Sequence, residues 1–174
     1  MELKAIDPKA LVFNPFHTFA EEWPLLTAGD EMAGYNTMTI SWGHIGSLWG
    51  DNGGRPTMVV YVRPHRYTFE FMNRHELFTV SVLPQSFKKE LAYLGKVSGR
   101  DEDKIAKAGI TPVFGYGSTF FQESKMVFVC RKLYQSEIQE AGFKDVKLMD
   151  SIYPQKDFHT MYVGEIEKVL TIAV

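Results

Sequence analysis

The sequence predicts a mainly β protein with short helices, folded as an antiparallel barrel in one domain that spans residues 1–174. Candidate strands outnumber candidate helices, and one strand shows a clear alternation between its two faces. The candidate helices are short and inserted between strands, which suits a barrel with helical excursions better than a sheet of βαβ units. No GxGxxG sequence follows a strand, so a Rossmann dinucleotide site is disfavoured.

The first quarter of the chain contains one strong strand signal. A short helix is predicted at 7–13, before Pro15, followed by a strand at 24–27 and a turn at 28–30. In YNTMTISW (35–42), alternate residues fall on opposite faces. This period of two, together with β-branched residues, predicts a strand.

The middle of the chain is predicted to alternate strands with short helices. A Gly-rich loop at 49–54 precedes a strand at 57–64, which Pro64 should end because proline has no N–H to donate to the ladder. A short helix is predicted at 67–74 and another strand at 76–83.

Two more helices and two long strands complete the prediction. Apolar residues at i, i+4 and i+7 predict an amphipathic helix at 85–95. The segment 101–109 begins with acidic residues and ends in Gly109, as expected of a short capped helix. The segments 125–133 and 160–172 are the last predicted strands.

The length, charge and cysteine content exclude several classes of protein. A chain of 174 residues fits one domain with a sizeable core. Its formal net charge of −2 gives no basic excess, so no nucleic-acid partner is expected. The one cysteine, Cys130, excludes an intrachain disulfide, and the five histidines show no paired metal-ligand spacing. We therefore expect no bound metal.

The hydropathy of the chain predicts a protein without membrane segments. The start, MELKAIDPKALVFNP, has no long apolar region of the kind found in secretory signals. No apolar run approaches the roughly 20 residues that cross a bilayer. We therefore expect a cytoplasmic protein with no membrane association.

The predicted strand 35–42 carries hydroxyl groups that could bind a ligand. Thr37, Thr39 and Ser41 lie on one face, and free backbone N–H groups could meet the edge of a flat heterocycle. An ordinary solvent-exposed strand face is the alternative, since threonine fills such positions well.

The segment 61–68 places two arginines, Arg63 and Arg66, where a proline ends a strand and a helix begins. The planar guanidinium group pairs well with phosphate oxygens, and Thr68 and the helix N-terminus could add donors. A pair of surface arginines at a turn is the alternative.

Two later segments carry weaker signals. Ser98 and Gly99 precede a helix and could form an anion-binding turn with Lys104. The alternative is a solvated, capped helix, because the acidic residues at 101–103 would repel an anion. His159 lies beside a strong strand and could contact a ligand edge or a nicotinamide, or it could be a structural histidine. Cys130 lies in an apolar strand and is predicted to be a buried core thiol.

Taken together, five segments resemble the flavin reductase-like FMN-binding split-barrel family, which includes flavoredoxin-type electron carriers. The segments are NTMTISW, VRPHRYT, ELFTVSVL, SGRDEDK and FHTMYVGEI, and the resemblance spans about residues 20–170. The first two motifs are the specific ones. The resemblance implies a six-stranded antiparallel split β-barrel, usually a homodimer, with FMN near the subunit interface. The region 135–158 could not be aligned with the family.

The resemblance also implies which residues bind the cofactor. The first motif would lie along the isoalloxazine ring, ribityl chain and phosphate, the second would run from the ring to the phosphate, and the fourth would form another phosphate-side loop. His159 matches a late histidine near the ring. The implied cofactor-binding residues are Asn36, Thr37, Met38, Thr39, Ser41, Trp42, Tyr61, Val62, Arg63, Arg66, Tyr67, Thr68, Ser98, Gly99 and Lys104.

The expected function is that of an FMN-binding oxidoreductase. The flavin carries the redox chemistry, so no catalytic acid, base or nucleophile of the protein is required. The leading hypothesis is an NAD(P)H-dependent reductase of flavin, ferric chelates or another acceptor. The alternative is an electron carrier that keeps its FMN and exchanges electrons with protein partners. A third hypothesis is a barrel that binds another small molecule or serves a structural role.

Overall fold

A computed structural model describes residues 3–51 and 53–172 of the chain. The ends of the predicted domain, 1–2 and 173–174, and Asn52 of the predicted Gly-rich loop lie outside these described residues. The strands are β1 (Leu3–Ile6), β2 (Leu25–Asp30), β3 (Gly34–Thr39), β4 (Gly43–Leu48), β5 (Arg55–Val62), β6 (Leu77–Val82), β7 (Pro112–Gly115), β8 (Ser118–Phe121), β9 (Met126–Glu137) and β10 (Thr160–Ile172).

The helices are short and lie between the strands. They are α1 (Pro15–His17), α2 (Tyr67–Arg74), α3 (Lys88–Lys96), α4 (Lys104–Ala108) and α5 (Val146–Ile152). A π-helical turn (Thr18–Glu22) follows α1, and 3₁₀ turns occur at Pro8–Ala10, Gln85–Phe87 and Glu140–Gly142. None of the helices in the described part of the chain is long and apolar enough to cross a membrane.

The strands form an antiparallel sheet that curls into an open barrel. Its order is β3-β2-β6-β9-β10-β5-β4, with β1 paired to β10, and β7 and β8 form a separate hairpin. Over the described residues, the two end strands β3 and β4 have no pairing with each other. The chain passes from one end strand to the other through 40–42, so the barrel is split at this point.

The barrel interior is filled by alternate residues of its strands. Met58, Val60 and Val62 of β5 are fully buried, as the period of two requires. They share one core with Phe78 of β6 and Phe128 of β9. The predicted mainly β split-barrel class is therefore confirmed, although the main sheet has eight strands where the resemblance implied six.

Cys130 lies in this core and is fully buried, as the sequence predicted. Burial raises the pKa of its thiol far above the ordinary value. A thiol that stays protonated is a poor nucleophile, so Cys130 packs as a small apolar side chain.

Two smaller cores hold the helices outside the barrel. In the first, Leu91, Leu94 and Ile105 of α3 and α4 pack against Leu25 and Phe121. The second lies within the β9–β10 connection, residues 138–159. There the buried residues Met149, Tyr153 and Phe158 pack together, with Phe143 and Ile152 against them.

Most predicted elements are confirmed, but three corrections are needed, two of them in the N-terminal part. The helix predicted at 7–13 is only the 3₁₀ turn Pro8–Ala10, which the side chain of Asp7 caps. The turn predicted at 28–30 is wrong, because β2 continues to Asp30 and the turn follows it. Glycine at position 29 allows the backbones of β2 and β3 to approach closely. Its φ is +103°, and a Cβ would lie 2.2 Å from the carbonyl oxygen of Gly34.

The third correction concerns the boundary and number of the strands. The strand predicted at 35–42 ends at Thr39, since 40–42 crosses the opening of the barrel. The strand β4 and the hairpin of β7 and β8 were not predicted. β4 is an exposed edge strand with two glycines, and such a strand has little apolar alternation to reveal it.

Candidate functional site

The opening of the barrel contains two neighbouring cavities. The first, which we call the aromatic cavity, has a volume of about 480 Å³. Its lining residues are Met38, Thr39, Ile40, Ser41, Trp42, Tyr61, Arg63, His65, Arg66 and His159. The second, the cationic cavity, has a volume of about 280 Å³. Its lining residues are Asn36, Met38, His65, Arg66, Tyr67, Thr68, Lys96, Val97, Ser98, Arg100, Asp101 and Lys104.

Local structure explains why these side chains meet. The chain leaves β3 at Thr39 and crosses the opening, and the N–H of Ile40 donates to the carbonyl of Pro24 over 2.9 Å. On the other side β5 ends at Val62, and a turn closed by the N–H of Arg66 and the carbonyl of Arg63 (3.1 Å) leads into α2. The two specific sequence motifs therefore face each other across the split.

Lys104 supplies a buried cation to the cationic cavity. Its Nζ donates to the carbonyls of Leu94 and Val97, each over 2.9 Å, and the side chain is almost inaccessible to solvent. Burial, with a smaller contribution from the charge of Arg66, lowers the pKa of Lys104 to about 8. An ammonium group has three N–H donors, so one donor remains after these two bonds.

The loop at Ser98 and Gly99 packs directly on the end of β3. The Nδ2 of Asn36 donates to the Oγ1 of Thr68 over 2.7 Å, and both side chains are buried. A Cβ on Gly99 would lie 2.3 Å from the Oδ1 of Asn36. Only glycine fits here without displacing Asn36, which explains the close approach of the loop to the cavity.

The two arginines have different partners. Arg63 donates to the Oδ2 of Asp157 over 2.5 Å and to the carbonyl of Ile152 over 2.8 Å, both in the β9–β10 connection. Arg66 donates to the carbonyl of Gly95 over 2.7 Å and lines both cavities. Burial, together with the charge of Arg63, lowers the pKa of Arg66. Arg66 is therefore a partly desolvated cation, and no carboxylate among residues 3–51 and 53–172 pairs with it.

His159 closes the far end of the aromatic cavity. Its ring packs on the indole of Trp42, with ring centroids 4.7 Å apart, and its Nδ1 lies 2.8 Å from the hydroxyl of Tyr153. Burial, with the charge of Arg63 adding to it, lowers the pKa of His159 to about 4. The imidazole is therefore neutral at pH 7.

The structure brings most of the residues from the sequence prediction to the two cavities. Thr39 and Arg63, which lie in different motifs, line the same cavity. The other predicted residues that line one or both cavities are Asn36, Met38, Ser41, Trp42, Tyr61, Arg66, Tyr67, Thr68, Ser98, Lys104 and His159. Gly99 contacts the site through Asn36.

Two residues of the sequence prediction have side chains that point elsewhere. Thr37 is fully buried within the sheet, where its hydroxyl meets that of Thr27 at 2.8 Å and donates to the carbonyl of Leu26. Val62 is fully buried in the barrel core. Either residue can meet a ligand in the cavities only through its backbone.

The sequence reasoning missed three basic side chains of the site and one acidic side chain. His65 lines both cavities, and Lys96, Arg100 and Asp101 line the cationic one. His65 and Arg100 lie inside the quoted motifs VRPHRYT and SGRDEDK, so their sequence neighbours were a usable signal. The guanidinium of Arg100 donates to the carbonyl of His65 over 3.2 Å and lies over the ring of Tyr67.

Solved structures similar to this one share its fold. Flavoredoxin of Desulfovibrio vulgaris (Miyazaki F) is 23% identical, with a TM-score of 0.63 over 84% of this chain and 67% of that chain. An FMN-binding domain of a flavin reductases-like enzyme from Shewanella baltica OS155 is 15% identical, with a TM-score of 0.65. The match covers 98% of this chain and 77% of that chain. An FMN-binding protein from Thermus thermophilus with bound p-hydroxybenzaldehyde is 20% identical, with a TM-score of 0.62. The match covers 86% of this chain and 71% of that chain.

At these identities the likeness to solved structures shows the fold alone. No curated protein matches the sequence. The model of the flavin reductase like domain family, in contrast, matches residues 16–173, which is nearly the whole chain and includes both halves of the split. The chain therefore belongs to the flavin reductase-like domain family.

Proposed function

We propose that the chain binds FMN across the aromatic and cationic cavities and acts as a flavoprotein oxidoreductase. One observation carries the proposal: the two cavities share Met38, His65 and Arg66, and their walls change from aromatic at one end to cationic at the other. FMN changes in the same order, from a flat ring through a polar ribityl chain to a dianionic phosphate. Family membership and the FMN-binding proteins of the same fold support this cofactor.

The cationic cavity suits the phosphate. Lys104 and Arg66 are partly desolvated cations, and the charge of Arg66 disfavours the ammonium form of Lys104. A dianion between them would remove this repulsion and accept charge-assisted hydrogen bonds from both. The hydroxyls of Thr68 and Ser98 line the same cavity and could donate further bonds.

The aromatic cavity suits the ring and the ribityl chain. Trp42, Tyr61 and His159 provide flat surfaces for the ring, and Ser41 and Thr39 provide hydroxyls. When bound, FMN supplies the redox chemistry, and the protein orients and shields it. Neutral His159 can donate an N–H from Nε2 to an acceptor at the ring edge when the Tyr153 hydroxyl donates to Nδ1.

A comparison of FMN with riboflavin, which lacks only the phosphate, tests the placement of the cofactor. Both flavins would be titrated into flavin-free protein, with flavin fluorescence and the visible spectrum as readouts. We expect FMN to bind about 10- to 150-fold more tightly than riboflavin, which is the effect of one charge-assisted hydrogen bond. A protein that binds neither flavin would contradict the proposed cofactor, and equal affinities would contradict the phosphate site.

We propose NADH or NADPH as the electron donor. The family's oxidoreductase character supports this donor. The alternative is an electron carrier without its own NAD(P)H activity. One observation favours it: Arg63 pairs with Asp157. The aromatic cavity therefore has one cation fewer to bind the pyrophosphate of a dinucleotide. Anaerobic stopped-flow mixing of the FMN-loaded protein with each nucleotide would decide. Rapid loss of flavin absorbance indicates a reductase, and a stable flavin band indicates a carrier.

We also propose that the working unit is a homodimer. In the described sheet β4 is an end strand, and Leu48 and Trp49 at its end are exposed. The ring of Trp49 lies 6.0 Å from that of Tyr134, also exposed. Exposed aromatic side chains beside a free strand edge commonly mark a protein contact. The cytoplasmic location and a small-molecule or protein electron acceptor stay predictions.

A further inference from the structure

An apolar cavity adjoins the aromatic cavity, and most of its lining residues lie outside the proposed cofactor site. Its volume is about 610 Å³, and it shares Ser41, Trp42 and Tyr61 with the aromatic cavity. Its other walls come from the region of α1, which contributes Phe16 and Phe19, and from the β9–β10 connection, which contributes Phe143, Leu148 and Ile152. This volume falls within the range of sites for small molecules.

The apolar cavity differs from its two neighbours in charge. Among the residues that the structure describes, no aspartate, glutamate, lysine or arginine lines it. The aromatic cavity, in contrast, has two arginines, and the cationic cavity has two arginines, two lysines and one aspartate. A carboxylate, sulfonate or phosphate that entered it would lose hydration without gaining an ionic partner. The lining therefore favours an uncharged ligand.

One polar pair in the wall indicates which polar group such a ligand could carry. The hydroxyl of Tyr61 lies 3.2 Å from the Nδ1 of His44, and both side chains line the apolar cavity. When His44 donates its Nδ1–H to the phenol oxygen, the phenol O–H can donate to a carbonyl oxygen. Burial raises the pKa of Tyr61, so this hydroxyl keeps its proton at neutral pH.

We propose that the apolar cavity binds small, uncharged, largely apolar carbonyl compounds and selects them over anionic ones as substrates, which would be reduced by two electrons from reduced FMN and two protons from solvent. The inference rests on the proposed function, because Trp42 and Tyr61 would lie between the ligand and the flavin ring only if FMN occupies the aromatic cavity. The Tyr61–His44 pair orients the carbonyl, and the aromatic and aliphatic walls contact the rest of the molecule.

Equilibrium dialysis with two related probes tests this selection. The probes are menadione, which is uncharged, and naphthoquinone sulfonate, which has the same fused rings and an anionic group. Dialysis would use flavin-free protein and FMN-loaded protein in parallel. We expect menadione to bind at least about tenfold more tightly to the FMN-loaded protein, because FMN then occupies the neighbouring cationic sites and an anion in the apolar cavity would be desolvated without a partner. In flavin-free protein the same preference is expected for the part of the binding that the Leu148→Arg variant below removes.

Two variants of α5 test whether menadione binds in the apolar cavity. Leu148 lines it and is half exposed, so Leu148→Arg should fold normally and weaken menadione binding by about tenfold. Val146 is exposed on the same helix and does not line the cavity, so Val146→Arg should leave binding unchanged. Equal binding of the two probes, or equal loss in both variants, would overturn the proposal.

A separate titration with FMN keeps this test distinct from the test of the cofactor. Protein that binds FMN but shows no preference for menadione overturns the apolar cavity as a substrate site and leaves the proposed function intact. Protein that prefers menadione but binds no FMN overturns the proposed function, and with it the role of this ligand as a substrate.

Discussion

At the scale of single residues, the buried side chain of Lys104 should make FMN affinity depend on pH. Its folded-state pKa of about 8 lies below the ordinary value, because burial disfavours the ammonium form. A phosphate dianion would favour the ammonium form. The phosphate is already a dianion at pH 7, since its second pKa is about 6. FMN affinity should therefore be nearly constant from about pH 7 and fall as the pH rises through about 8. Titrations on both sides of pH 8 would measure the effect, and an affinity that rises with pH would contradict it.

Substitution of Lys104 tests the same contact directly. Lys104→Gln should weaken FMN binding by about 10- to 150-fold, because a charge-assisted hydrogen bond is lost. Lys107→Gln is the matched control, since Lys107 is exposed on the same helix and pairs with Glu102 away from both cavities. Fluorescence titration would compare the two variants. Similar affinities would remove Lys104 from the phosphate site.

His159 should not titrate in the physiological range. Its pKa is lowered to about 4 by burial and by the charge of Arg63, so the imidazole is neutral at every pH above about 5. NMR of the ring nitrogens should show one protonated and one unprotonated nitrogen at pH 6. The pH profile of flavin reduction should likewise lack a step from this residue. A measured pKa near the ordinary value would show that His159 is solvated.

At the scale of elements, the β9–β10 connection is attached to the site by a small number of polar contacts. Asp157 and the carbonyl of Ile152 both accept hydrogen bonds from Arg63. Asp157→Asn should therefore increase amide hydrogen exchange within the connection, with little change in the main sheet. Asp150→Asn is the control, because Asp150 is exposed on α5 and lines neither cavity. Equal exchange in both variants would show that the apolar core of the connection is sufficient to hold it.

At the scale of the whole molecule, the homodimer proposal predicts that one exposed aromatic residue controls assembly. Trp49→Asn should shift the protein from dimer to monomer, and asparagine tolerates the positive φ of 45° at this position. Tyr116→Asn is a closely matched control, since Tyr116 is also exposed and has a φ of 55°, but lies on the hairpin of β7 and β8. Sedimentation would measure both variants. A wild-type monomer, or an unchanged dimer in Trp49→Asn, would contradict this interface.

Sequence pattern was enough to predict the fold class, most strands and helices, and the motifs of the proposed cofactor site. These are properties of local pattern: the alternation in β3, the apolar spacing in α3, and the proline that ends β5. Sequence neighbours also predicted that Arg63 and Arg66 would share one bend, because only a turn separates them. The edge strand β4 was not predictable in this way, since its burial is too slight to impose an apolar pattern.

Which side chains enter the proposed site, and what else they contact, depends on long-range packing. Thr37 and Thr39 share a face in the sequence pattern, yet Thr37 bonds within the sheet while Thr39 lines the cavity, because the sheet curls and opens beside them. The pairing of Arg63 with Asp157 joins residues 94 positions apart. Contacts over such separations depend on how the barrel closes and where it splits, and no local periodicity records that.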